Sequence, residues 1–173
     1  MNNQLFNRFQ MARDEVTKNL QADFRRRTRA TLLGPDGAVS LELLTGALRA
    51  IDADFLVADM SGAKKDRDIW RIIAGLNGTA HPGHCRREAL AALEALDLRA
   101  KERPLGVVIA NLDTIGPVPD EAYLVANIRN DIDRLRSLRV FFTVCDPGFV
   151  LRNVADGHGS FNGRMSVYDW SGL

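Results

Sequence analysis

Long apolar runs, cysteine pairs and an excess of either charge are all missing from this chain, and each absence closes off a class of function. Of 173 residues only two are cysteines, Cys85 and Cys145, too few and too far apart for the disulfide framework of a small secreted domain. No stretch approaches the roughly 20 apolar residues of a membrane span. No apolar leader opens the sequence either, so a cytoplasmic location without a membrane partner is the expectation. Lysines and arginines number 23 against 22 aspartates and glutamates, a formal net charge of +1. No global field therefore draws the chain to nucleic acid or anionic lipid, and any such attraction has to come from a local patch. Internal repeats, low-complexity tracts and a recognisable interdomain linker are absent as well.

What is present is enough for one well-buried core, since 46% of the residues are hydrophobic. Residues 3–28 place Leu5, Phe9, Ala12, Val16, Leu20 and Phe24 three or four apart, with Arg8, Arg13, Lys18 and Arg25 mostly off that stripe. This is the pattern of an amphipathic helix. It ends in Arg25-Arg26-Arg27-Thr28-Arg29. Cations there complement the partial negative charge of a helix C-terminus. The same run, with Arg134, Arg136 and Arg139, is the candidate contact for nucleic acid or an acidic partner.

Beyond it, short apolar runs alternate with helical patterns: strands over 30–33, 55–60, 105–111, 140–145 and 165–168, and helices over 39–51, 67–76, 86–101 and 120–138. Strands separated by helices of ten or more residues imply a parallel sheet covered on both faces. The expectation is a three-layer αβα fold with a mainly parallel five-stranded sheet, divided into a basic N-terminal helix, 1–29, and an α/β domain, 30–173. Pro147-Gly148 closes the fourth strand, and a glycine-rich loop at Gly157-His158-Gly159-Ser160 with Asn162-Gly163 precedes the fifth.

Between the first strand and its helix stands Leu33-Gly34-Pro35-Asp36-Gly37-Ala38-Val39-Ser40-Leu41. By itself Gly34-Pro35-Asp36-Gly37 is an ordinary turn, with Pro and Gly where β-turn geometry favours them. Read with three later fragments, it resembles the core of a P-loop NTPase of the AAA+ type, or more loosely a RecA-like ATPase. The run Pro104-Leu105-Gly106-Val107-Val108-Ile109-Ala110-Asn111-Leu112-Asp113 resembles the strand leading to the acidic second motif. Arg139-Val140-Phe141-Phe142-Thr143-Val144-Cys145-Asp146 resembles the sensor strand. Asn162-Gly163-Arg164-Met165-Ser166-Val167-Tyr168 resembles the closing strand. The resemblance implies a vestigial nucleotide site at Gly34, Gly37, Ser40 and Asp113, and a tendency to assemble side by side as a homo-oligomer.

A working loop of this family wraps backbone N–H groups around phosphates, neutralises them with a lysine and holds magnesium with a hydroxyl. Here Ser40 and Leu41 occupy the lysine and hydroxyl registers, and Val39 that of the last loop glycine. The nearest lysines, Lys64 and Lys65, follow the second strand. After the third strand come Ala110, Asn111 and Leu112, leaving Asp113 as the nearby carboxylate. Phosphoryl transfer depends on positioning and on cationic charge stabilisation, so efficient hydrolysis is not expected and no cofactor is assigned.

Asp59, Asp113 and Asp146 fall at strand ends, where aspartates cap helices and turns but where ligands of open α/β sheets also bind. His81-Pro82-Gly83-His84-Cys85 collects zinc-ligand types but lacks a second pair, so no metal is assigned. Trp70 and Trp170 read as packing residues, since neither sits in a basic, aromatic-interleaved run. The leading expectation is a non-catalytic interaction module, an adaptor or inhibitor of a nucleic-acid or macromolecular machine with a protein partner. Two readings compete with it: an NTPase or metal-dependent hydrolase using the strand-end aspartates, and a direct DNA- or RNA-binding protein acting through Arg25, Arg26, Arg27 and Arg29.

Overall fold

Five parallel strands, β1 (Ala30–Leu33), β2 (Asp54–Asp59), β3 (Leu105–Ala110), β4 (Arg139–Val144) and β5 (Ser166–Asp169), form one sheet in the order β2-β3-β4-β1-β5. The computed structural model describes residues 2–79, 81–115, 121–155 and 165–170. Six helices accompany the strands: α1 (Asn2–Arg26), α2 (Gly37–Arg49), α3 (Asp66–Gly75), α4 (Arg86–Glu102), α5 (Glu121–Ile132) and the single turn α6 (Pro147–Val150). The three-layer α/β expectation holds, and the glycine-rich loop before β5 lies outside the described residues.

Strand order dictates which helix covers which face. Only the connection from β1 to β2 runs toward the β2 edge; every later one runs back the other way. Because parallel crossovers are right-handed, α2 must lie on one face and α3, α4, α5 and α6 on the other. The cores follow this division. Leu43, Leu44, Ala47 and Leu48 of α2 pack with Ala30, Leu32, Val108 and Phe141, whereas Ile69, Leu93, Leu96, Ile128 and Phe149 pack with Leu33, Val107, Ile109, Val140 and Phe142. Strand residues alternate between the two clusters, as the period of two in a pleated strand demands.

The α1 stripe joins the α2 face. Leu20 and Phe24 are buried there, with Val16 packed alongside, and the Phe24 ring stacks on Phe141 at 6.2 Å between centroids. The side chains of Leu5, Phe6 and Phe9 lie outside the described residues. Two polar ties fix the end of α1: Tyr168 on β5 donates its hydroxyl to Asp23 at 2.6 Å, and Arg139 Nε donates to the Phe24 carbonyl at 2.7 Å. Burial, and then the bond to Asp23, raises the Tyr168 hydroxyl to about 12.

One boundary differs from expectation. The helix foreseen over 120–138 stops at Ile132, because Asp97 of α4 intervenes. Its Oδ1 accepts from the N–H groups of Arg136, Ser137 and Leu138 at 3.0, 2.7 and 2.7 Å, holding those residues in the turn that leads into β4. Burial favours the neutral carboxyl, but these donors outweigh it and pull Asp97 below its ordinary value.

Candidate functional site

In an open parallel sheet a ligand crevice forms beyond the carboxyl ends of two strands whose connections leave toward opposite faces. Here those strands are β1 and β4, which are adjacent and lead to α2 on one face and α6 on the other. The Gly34-Pro35-Asp36-Gly37 loop lies at this point, fastened by Gly34 N–H donating to the Val144 carbonyl at 3.1 Å. Topology thus places the sequence-predicted loop where such a fold would receive a ligand.

Its helix N-terminus is capped in part from within. Asp36 is the N-cap of α2: its carboxylate accepts from Val39 N–H at 2.9 Å and its carbonyl accepts from Ser40 N–H at 2.9 Å. The helix consequently begins at Gly37, two residues earlier than its apolar pattern implies. A carboxylate in this place takes up a donor a phosphate would use and sets a negative charge against any anion arriving there.

The two loop glycines are explained by the same crowding. A Cβ on Gly34 would overlap Ser40 Oγ and the Trp170 indole, and a Cβ on Gly37 would overlap Asn111 Oδ1. Ser40 is fully buried, and its hydroxyl has no hydrogen-bond partner among the described residues. Trp170 is buried as well, held by its N–H donating to the Leu33 carbonyl at 3.0 Å, in keeping with the packing role foreseen for it.

The remaining strand-end acids have local duties. Asp113 Oδ2 accepts from Cys145 N–H and Asp146 N–H, both at 2.7 Å, tying the turn after β3 to the end of β4. Asp146 caps α6 through Gly148 N–H at 2.8 Å and Phe149 N–H at 3.1 Å. Asp59 accepts from Asn111 Nδ2 at 2.8 Å and Ser61 N–H at 2.9 Å. Burial pushes the Asp59 carboxyl upward, but these donors hold it below its ordinary value. Burial, followed by the charges of Asp113 and Asp36, raises the pKa of the Cys145 thiol. Among the described residues no group of three or more His, Cys, Asp and Glu side chains is placed to hold a metal ion. In the loop before α4, His81, His84 and Cys85 are exposed, and Cys85 Sγ donates to Glu88 Oε2 at 3.0 Å.

Several known structures share the fold of this chain. An Aeropyrum pernix ORC1 protein in complex with DNA superposes with a TM-score of 0.60 at 15% identity, over 92% of this chain and 44% of that one. A chain of Drosophila ORC bound to DNA gives 0.62 at 14% identity, over 95% of this chain and 91% of that one. Cdc6p from Pyrobaculum aerophilum gives 0.53 at 20% identity, over 81% and 38%. The fold is AAA+-like. At these identities the likeness concerns the fold alone, and the chain spans less than half the length of the A. pernix and P. aerophilum proteins. No family model matches the sequence, and no curated protein sequence matches it.

Within the AAA+-like frame the arginine run divides by role. Arg25, Arg26 and Arg27 are exposed, whereas Arg29 pairs with Asp133 and donates to the Ile132 carbonyl at 3.0 Å. Arg139 is buried, stacked over the Phe24 ring at 4.8 Å from its centroid, and so belongs to the core rather than to a surface. Sequence reasoning passed over Asp36 and Asn111. The signal for Asp36 was available, since an aspartate just before an apolar-periodic helix is a standard N-cap. That of Asn111 was not: it reaches Asp59 and Gly37 only because β2, β3 and the β1 loop come together in three dimensions.

Proposed function

We propose that this chain is a non-catalytic AAA+-like interaction module that serves a nucleic-acid or macromolecular machine as an adaptor or inhibitor. One observation carries the reading: both helix N-termini flanking the crevice are capped by the chain's own carboxylates, Asp36 on α2 and Asp146 on α6. With Ser40 buried, Asp113 spent on backbone donors and Arg152 paired with Asp146 at 3.5 Å, the capping carboxylates set negative charge where a triphosphate would lie. What survives is a rigid three-layer scaffold with the basic end of α1 exposed, which suits contact with other macromolecules. Similar structures are described in complexes with DNA, which supports a role beside nucleic acid. Assembly with a protein partner or with further copies of the chain belongs to the same proposal.

The test is thermal unfolding with and without magnesium and ATP, together with phosphate release. A ligand that binds only the folded state must raise its apparent stability. The midpoint is expected to stay where it is and no phosphate to appear above the buffer rate. A magnesium-dependent rise in the midpoint, or turnover, would overturn the reading in favour of an NTPase.

A further inference from the structure

At the opposite edge of the sheet, where strands begin, the topology gathers cations that are scattered along the sequence. The end of α1 precedes β1, the end of α4 precedes β3, and the turn after α5 precedes β4, and these three strands are neighbours. Strands lie about 4.8 Å apart, so their starts span roughly 10 Å. Direct contacts join the three segments: Arg139 on β4 reaches the Phe24 carbonyl of α1, and Arg136 N–H reaches Asp97 of α4. Exposed along this band are Arg25, Arg26, Arg27, Lys101, Arg134 and Arg136.

The acids nearby are mostly committed elsewhere. Asp97 is buried against three backbone donors, Asp23 is buried against Tyr168, Asp133 pairs with Arg29, and Asp54 pairs with Arg103 at 2.9 Å. Glu102 and Asp52, toward the β2 side, are the exposed acids of this edge. Arg25, Arg26, Arg27, Arg134 and Arg136 make no ion pair among the described residues. Burial, and then the positive charge of Arg27, lowers the Arg139 pKa. Among the exposed large apolar side chains, only Leu98 falls within a turn of the band; Val39, Tyr123 and Leu151 belong to the carboxyl-end side and Val57 and Val167 to the edge strands. Protein interfaces are built round apolar and aromatic anchors. An arginine band with Leu98 as its one exposed apolar neighbour among the described residues suits a phosphodiester backbone, whose oxygens match the guanidinium fork.

We infer that the amino-terminal edge of the sheet, formed jointly by the end of α1, the end of α4 and the turn before β4, is a binding face for the phosphate backbone of a nucleic acid. It is remote from the crevice and independent of what the crevice does.

The experiment titrates the full chain into fluorescently labelled DNA, single-stranded and duplex, and RNA of about 20 nucleotides, from about 50 to 200 mM salt. Three variants are compared: R25Q/R26Q/R27Q on α1, R134Q/R136Q on the turn, and K64Q/K65Q as a charge-matched control at the carboxyl end. The first two should each weaken binding at low salt and lower the log–log salt slope on duplex DNA, by about 2.7 for the three α1 arginines and about 1.8 for the two in the turn, while the control leaves both unchanged. Circular dichroism and unfolding midpoints confirm that the variants fold. Failure to bind any of the nucleic acids at the lowest salt, or an equal loss in the control, would overturn the inference. So would polyglutamate of matched charge competing as well as DNA, since that assigns the face to an acidic polypeptide. Nucleic-acid binding together with an ATP-dependent shift would sink the reading of the crevice and leave this one standing.

Discussion

Single positions record how tightly the crevice is filled. At Gly34 and Gly37 an added methyl meets Ser40, Trp170 or Asn111, whereas at Gly46, in the middle of α2, it meets nothing within 4 Å. Gly34→Ala and Gly37→Ala are expected to lose about 1 to 3 kcal/mol by overpacking. Gly46→Ala should gain about 0.5 to 1 kcal/mol by stiffening the helix. Urea unfolding of the three variants measures both signs, and a neutral Gly34→Ala would refute the packing account of the loop. Asp97 tests a different force. Its folded-state pKa lies below the ordinary 3.8, so the stability it supplies is complete above that value and is lost as the pH falls through its lower folded value. Asp97→Asn should cost about 2 kcal/mol at neutral pH. It should also flatten the acid limb of a stability-versus-pH curve; an unchanged limb would show that the carboxylate is not what the backbone donors recognise.

At the scale of elements, strands were the most legible part of the sequence, because β1, β3 and β4 are buried on both faces and therefore read as short, mostly apolar runs. Helix ends were less so. α2 starts early because Asp36 caps it, and α5 stops early because its next turns are claimed by Asp97, a residue on another helix. Another helix pair is joined in a way no local pattern announces. Arg86 at the start of α4 forks onto Asp131 of α5, Nε to Oδ2 at 2.8 Å and Nη2 to Oδ1 at 2.7 Å, and also donates to Asn127 Oδ1 at 2.6 Å. Asp131 is only 3% exposed, so removing the cation strands a buried charge. Arg86→Ala is expected to cost about 3 kcal/mol, most of which the double change Arg86→Met with Asp131→Leu should recover. Denaturant midpoints of the single and double variants decide it; equal losses would mean that the pair acts through packing alone.

Over the whole molecule, some charges of like sign collect at each end of the strands. Asp36, Asp59, Asp113 and Asp146 follow strands or their turns, while Arg25, Arg26, Arg27, Arg134 and Arg136 precede them. A chain with a net charge of only +1 thereby carries local groups of one sign. Polyanions are steered by the local field rather than by the total. Magnesium-ATP and nucleic acid should then separate in one assay of thermal stability. The first leaves the midpoint unmoved, and the second adds about 2.7 kcal/mol at a hundredfold excess over its Kd. Equal effects of the two would contradict the separation.

By itself the sequence determined the strands, the helices and their alternation, and hence the three-layer class, because periodicity and turn chemistry are local. Tertiary structure alone decided which faces the helices cover, that Trp170 and Asn111 close on Gly34 and Gly37, and which arginines reach solvent. Those outcomes depend on contacts between residues far apart in the chain, such as Arg29 with Asp133 and Arg139 with Phe24. Two arginines of similar sequence surroundings met opposite fates for one reason: Arg139 starts a strand in the middle of the sheet, where burial forces it onto the Phe24 carbonyl, while Arg136 sits in the turn before it, where water still reaches its charge.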